Sequence, residues 1–101
     1  MGYGIGRNPW RGLKGQRYEW MLANMPEEAE RIRQSGEMDA YLDKVVSRYQ
    51  ERAGELYPRL RESLGATQEL AETDYGRWLG LDGQALRVAR ETAFHEVIEA
   101  G

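Results

Sequence analysis

The chain has 101 residues, 41% hydrophobic and 31% charged, with a formal net charge of −3 at pH 7, and this length allows one small domain. It contains no cysteine, which excludes disulfides and cysteine-based zinc sites and favours a reducing compartment, so we expect a cytoplasmic protein. No apolar run approaches the ~20 residues needed to cross a bilayer, which argues against a membrane partner.

Residues 1–15 are expected to form a glycine-rich basic arm, because no regular element tolerates this density of glycine. Residues 1–17 carry four basic side chains and no acid, whereas the rest of the chain carries 10 basic and 17 acidic residues. Flexible cations beside an aromatic ring suit contacts with phosphates or a partner. The candidate binding residues are Arg7, Trp10, Arg11, Lys14 and Arg17. In the alternative, Trp10 and Leu13 fold back onto the helices and the arginines stay solvated.

Residues 16–101 are expected to form a single α-helical domain. The first helix is predicted from Gln16 by apolar residues with helical spacing, and Pro26 should end it and open a second segment. Gly36 should end that second segment.

The central helix is predicted by an apolar stripe with spacings of four, three, four, seven and four residues. Its members stay within about 40° of one line; they are Met38, Leu42, Val45, Tyr49, Leu56 and Leu60. Gly54 and Pro58 favour a kink or a break, but the stripe keeps its phase across both. We therefore predict one bent helix running toward Leu64.

Thr67 is a candidate N-cap for a short helix, and a last helix is predicted from about Asp74. Alanine repeats every four residues along this helix, at Ala85, Ala89 and Ala93, which indicates close packing against another helix. We expect these alanines to pack against the apolar stripe of the central helix. The fold class predicted is all-α, a small bundle of three to four helices built on a long bent central helix.

No motif in the sequence indicates a particular enzymatic reaction. His95 lies four residues from Glu91 and from Glu99, a spacing that could hold a metal, but an exposed histidine between two carboxylates is the simpler interpretation. The sequence therefore predicts no enzyme, no catalytic residue, no metal and no cofactor. A polar face on the last helix, with Arg77, Gln84, Arg87 and Arg90, is interpreted as solvated.

Two acidic sets are candidate contact surfaces. They comprise Glu27, Glu28 and Glu30, and Glu69, Glu72 and Asp74. Such carboxylates could imitate phosphates in a nucleic-acid channel, and ordinary solvated acids are the alternative. Among the aromatic residues, Trp78 is expected in the core, while Tyr57 and Tyr75 stay open as contact candidates.

Three short motifs resemble the TnpV family of transposon-encoded proteins. They are Gly15-Gln16-Arg17, residues 35–42 (SGEMDAYL) and residues 65–70 (GATQEL), followed by a tryptophan and spaced alanines over 78–100. The resemblance covers about residues 15–100 and implies a small cytoplasmic protein of a bacterial mobile element. It carries over no functional residue. Pro26, Pro58 and the segment 80–83 depart from the family pattern.

The sequence and the resemblance together lead to three functional hypotheses. The first is a non-enzymatic accessory protein that binds a protein partner, in a specific version an inhibitor of a host defence nuclease, as anti-CRISPR proteins are. The second is an excisionase-like protein that binds DNA through the basic arm. The third is a chain that chiefly associates with itself as a homodimer.

Overall fold

The computed structural model describes residues 8–100, and within this range the chain is helical with no strand. The helices are α1 (Gly12–Asn24), α2 (Pro26–Ser35), α3 (Met38–Leu64), α4 (Gln68–Thr73) and α5 (Tyr75–Ala93), and a π-helical turn follows at Phe94–Ile98. The all-α class predicted from the sequence is therefore confirmed. There are five α-helices in the described residues rather than three to four, because α2 and the short α4 are separate elements.

The chain divides into two compact units. The first contains the described residues of 1–48 and 97–101, and the second contains Tyr49–Glu96. This division differs from the sequence-based one, which placed an arm at 1–15 and a single domain at 16–101. No helix of the described residues is long and apolar enough to pass through a bilayer.

Helix α1 begins at Gly12, four residues before the predicted start, so the second part of the expected arm is helical. Gly12 has φ +60°, a conformation that favours glycine. Gly15 is buried, and a Cβ there would lie 2.5 Å from the carbonyl oxygen of Trp10. The glycines of this segment thus allow a tight fold-back of the chain onto α1 rather than a loose arm.

The core of the first unit lies between α1, α2 and the start of α3. It consists of Tyr18, Met21, Ala29, Met38 and Leu42, with Trp10, Trp20, Leu22, Ile32 and Tyr41 packed against it. The sequence signals that separate these helices are confirmed. Pro26 occupies the first turn of α2, where its missing N–H costs nothing, and Gly36 ends α2 with φ +80°.

Helix α3 continues without interruption through Gly54 and Pro58, as the phase of its apolar stripe predicted. Met38, Leu42 and Val45 are buried, whereas the later members of the stripe are half-buried. A proline inside a helix removes one backbone hydrogen bond. Pro58 is therefore expected to lower the stability of α3 locally, at an exposed position, without ending the helix.

In the second unit, side-chain caps define the helix starts. The Thr67 hydroxyl accepts a hydrogen bond from the Leu70 N–H, and the Asp74 carboxylate accepts one from the Arg77 N–H. The alanine seam of α5 (Ala85, Ala89 and Ala93) is fully buried, as its spacing predicted.

Two side-chain contacts join α3 to the α5 segment in this unit. Arg52 of α3 bonds to Glu96, just beyond the end of α5, and Tyr57 of α3 bonds to Asp82, which is earlier in the chain. A later residue on α3 therefore faces an earlier residue of the α5 segment.

Candidate interaction surfaces

The described part of the basic arm is attached to the first unit through Trp10. The indole Nε1–H donates a 2.9 Å hydrogen bond to Asp39, and the indole ring packs on Tyr18 with centroids 4.8 Å apart. The part of the alternative in which Trp10 folds back onto the helices is therefore confirmed. The part in which the arginines stay solvated is wrong for Arg17, which is buried. Arg11 is exposed, and Arg7 lies outside the described residues.

Lys14 is engaged by two carboxylates of α3. Its Nζ lies 2.7 Å from Asp39 and 2.9 Å from Asp43. Hydrogen bonds with Asp39 and then Asp43 raise the pKa of Lys14, and the hydrogen bonds from Lys14 and then Trp10 lower the pKa of Asp39. The charge of Lys14 is thus balanced locally, which weakens its attraction for a phosphate.

Arg17 is buried, with 3% of its surface exposed. Its Nη1 donates to the carbonyl oxygens of Val97, Ile98 and Ala100 at 3.3, 3.0 and 2.6 Å. Its Nη2 donates to the Tyr41 hydroxyl at 2.7 Å. The assignment of Arg17 to an exposed binding set is therefore corrected. Its Nη1 donates to carbonyl oxygens at a helix terminus, where such carbonyls lack intrahelical partners.

The three acids of α2 are mostly compensated by arginines on the same helix. Glu28 forms an ion pair with Arg31. Glu30 forms one with Arg33 at 2.6 Å, and the hydrogen bond from Arg33 lowers the pKa of Glu30. Glu27 is exposed. The net charge that this set presents outward is accordingly small.

The acids around α4 differ from those of α2 because no cation compensates them. Glu69, Glu72 and Asp74 are all exposed, and none forms an ion pair with a described lysine or arginine. The Asp74 carboxylate caps α5 at 3.2 Å from the Arg77 nitrogen. Glu69 and Glu72 remain as side chains that project negative charge, and we call these two residues the α4 acidic pair.

Two large apolar side chains are exposed at the start of α5, Tyr75 at 60% and Leu79 at 48%. The Tyr75 ring stacks on Trp78, with centroids 5.8 Å apart and planes 14° apart. The sequence left Tyr75 open and did not single out Leu79. Their spacing of four residues, which puts both on one side of α5, is the signal that identifies them.

Tyr57, the other open aromatic candidate, is occupied inside its unit. Its hydroxyl donates a 2.5 Å hydrogen bond to Asp82, and the Arg61 guanidinium lies 5.0 Å from the centre of its ring. The Arg61 guanidinium also lies 3.8 Å from the Asp82 carboxylate. The pKa of Arg61 is raised mainly by its hydrogen bond with Tyr57 and, as a lesser cause, by the charge of Asp82. Tyr57 therefore helps to join α3 to α5, and its hydroxyl is already hydrogen-bonded within the second unit.

The described residues hold no group of three or more histidine, cysteine or acidic side chains arranged to bind a metal ion. The metal interpretation depended on His95 lying four residues from Glu91 and from Glu99. His95 lies in the π-helical turn, where the wider helix changes that spacing.

Comparison of the chain with models of known protein families, with curated proteins and with solved structures finds no match.

Proposed function

We propose that this chain is a small non-enzymatic accessory protein of a bacterial mobile element, acting in the cytoplasm by binding a protein partner through the α4 acidic pair. The specific version that we carry forward is inhibition of a host defence nuclease, in which these carboxylates occupy a basic nucleic-acid channel in place of phosphates. The mobile-element origin comes from the resemblance to the TnpV family at residues 15–17, 35–42 and 65–70.

The observation that carries the proposal is the contrast between the two charged regions. In the described arm, Lys14 is held by two carboxylates and Arg17 is buried, so only Arg11 is exposed and without an ion pair. Glu69 and Glu72 are exposed with no compensating cation. Electrostatic complementarity steers encounter and selects partners, so an uncompensated acidic surface favours a basic partner and repels DNA.

Affinity capture from the native host tests the proposal when the charge of the surface is varied. Tagged wild-type protein would be compared with E69Q/E72Q and with the control E28Q/E30Q, whose acids already have arginine partners. We expect the wild type and the control to retain the same protein, and E69Q/E72Q to lose it. Equal recovery by all three proteins, or no protein recovered by the wild type, would overturn the proposal.

The nuclease version needs a separate measurement on the captured protein. If that protein cleaves or binds nucleic acid, the wild-type chain should compete with a DNA or RNA duplex for it, and E69Q/E72Q should compete at least about tenfold less well. A captured protein with no affinity for nucleic acid would contradict the nuclease version and leave the acidic contact itself supported.

A further inference from the structure

A cleft of about 260 Å³ lies in the second unit, where the end of α3 meets the start of α4. Gly65 has φ +86°, so the chain turns sharply after α3. The cleft is lined by three residues of α3 and by three that lead into α4; they are Pro58, Arg61, Glu62, Ala66, Thr67 and Gln68. Because Gln68 directly precedes Glu69, the cleft borders the α4 acidic pair.

Two of the lining residues are charged, and only one of them is balanced inside the chain. The Arg61 guanidinium lies 5.0 Å from the centre of the Tyr57 ring and 3.8 Å from the Asp82 carboxylate. Glu62 is exposed and forms no ion pair with a described lysine or arginine. The uncompensated charge in the wall of the cleft is therefore negative.

A second carboxylate borders the cleft from the side of α4. The Gln68 Nε2 donates a 3.4 Å hydrogen bond to Glu72, so the Glu72 carboxylate lies beside the wall that Gln68 forms. Glu72 has no compensating lysine or arginine among the described residues. A positively charged group in the cleft would thus meet one carboxylate from each of the two helices, and both would attract it.

The rest of the lining favours a cation that carries an apolar stem. Pro58 and Ala66 supply apolar surface, and long basic side chains bury their methylenes along such surface while the charged head reaches polar groups. The side chains of Glu62 and Gln68 supply acceptor oxygens. A guanidinium has five N–H donors in a planar fork and can use several acceptors at once, whereas an ammonium acts as a point charge. The lining therefore suits arginine better than lysine.

We propose that this cleft binds an arginine side chain of the protein partner, with its methylenes against Pro58 and Ala66 and its guanidinium between the carboxylates of Glu62 and Glu72. The inference rests on the function proposed above for the source of the arginine, and it adds the residue type that the partner supplies. Arginine is the side chain with which proteins bind phosphates in a bidentate manner. Carboxylates that take the place of phosphates would therefore meet arginine.

An NMR titration of the isotope-labelled full-length protein tests the cleft without any partner. The probes are the acetylated amides of arginine, of lysine and, as the uncharged control, of glutamine. We expect the arginine probe to shift the amide resonances of residues 66–68 saturably, the lysine probe to bind at least about threefold more weakly, and the glutamine probe to give no saturable shift. Glu62→Gln should weaken the arginine probe at least about threefold. Glu51→Gln is the control, because Glu51 is an exposed carboxylate of the same helix about 16 Å away along its axis.

Affinity capture from the native host tests whether the partner supplies the arginine. Glu62→Gln should recover at least about threefold less of the protein that the wild type and Glu51→Gln retain. Full recovery by Glu62→Gln would overturn the inference, and so would an arginine probe that gives no saturable shift at residues 66–68 or binds Glu62→Gln as it binds the wild type. No protein captured by the wild type would instead overturn the proposed function and the partner as the source of the arginine. The titration needs no partner, so the two failures are distinguishable.

Discussion

Arg17 donates a 3.0 Å hydrogen bond from Nη1 to the carbonyl oxygen of Ile98, 81 residues further along the chain. A charge that the sequence placed in a flexible basic arm thus holds the last turn of the chain against α1. In the described part of the arm, Lys14 and Arg17 are thus held by contacts within the first unit.

The hydrogen bonds of Arg17 should make a large contribution to the free energy of unfolding. Arg17→Met keeps the length of the side chain but leaves the carbonyl oxygens of Val97, Ile98 and Ala100 without this donor, and we expect a loss of about 3 kcal/mol. Urea unfolding measures it, with Arg11→Met as the control at an exposed position, where we expect a change within about 0.5 kcal/mol. If Arg17→Met does not fold, Arg17→Lys should fold with lower stability. Wild-type stability in both variants of Arg17 would contradict this account.

The bridge between Lys14 and Asp39 should make stability depend on pH in two ranges. The pKa of Asp39 is lowered in the folded state, so its contribution is present at neutral pH and is lost as the pH falls through that lowered value. The pKa of Lys14 is raised, so its contribution is present below the ordinary lysine pKa and is lost as the pH rises through the raised value.

Asp39→Asn should therefore flatten both limbs of the stability curve. Urea midpoints measured across the acidic and alkaline ranges test this, and Glu51→Gln is a control at an exposed carboxylate of α3. The indole Nε1–H resonance of Trp10 should shift in Asp39→Asn, because that proton is donated to Asp39. Identical pH profiles for the wild type and Asp39→Asn would show that the bridge does not form in solution.

The hydrogen bond between Tyr57 and Asp82 should stabilise the second unit. Tyr57→Phe removes the donor and leaves a carboxylate that is 19% exposed with a weaker partner in Arg61, so we expect a loss of about 1–2 kcal/mol. Tyr75→Phe is the matched control, because the Tyr75 side chain is mostly exposed and its hydroxyl forms no described hydrogen bond. Thermal unfolding compares the two variants, and equal stability would contradict the contribution assigned to Tyr57.

Pro58 should reduce the stability of α3, because it lies inside the helix at an exposed position. Pro58→Ala restores the missing backbone hydrogen bond, and we expect a gain of about 1–3 kcal/mol. Pro26→Ala, in the first turn of α2, removes a proline that costs nothing there, so we expect little change. A loss of stability in Pro58→Ala would show that the proline has a packing role that the helix requires.

The sequence predicted the features of the fold that local rules govern. The stripe from Met38 established α3 across Gly54 and Pro58, Gly36 and Thr67 marked helix ends, and the alanine spacing identified a buried face. Arg17 was misplaced because its partners are about 80 residues away, and no local pattern reports them. The early start of α1 was missed for a similar reason, since Gly15 is explained only by the close approach of Trp10.

The candidate surfaces were harder to predict because exposure and pairing are properties of the folded chain. Glu28 has Arg31 three residues later, whereas Glu69 has Glu72 there. This spacing allows an ion pair only for Glu28, and the structure shows that the pair forms. The sequence did not identify Asp39 and Asp43 as contact residues, although both form ion pairs with Lys14. Whether Arg7 contributes a contact stays a prediction, because it lies outside the described residues.

The central proposal is that the chain binds a protein partner through Glu69 and Glu72 and does not bind DNA through its basic arm. Titration of a labelled DNA duplex with the full-length protein at about 50 mM and 200 mM salt tests this claim most directly, since phosphate contacts weaken steeply with salt. We expect no salt-sensitive binding, and the same result for a variant with Arg7 and Arg11 replaced by glutamine. Binding by the wild type that falls steeply with salt and is lost in that variant would contradict the account and support the excisionase-like function.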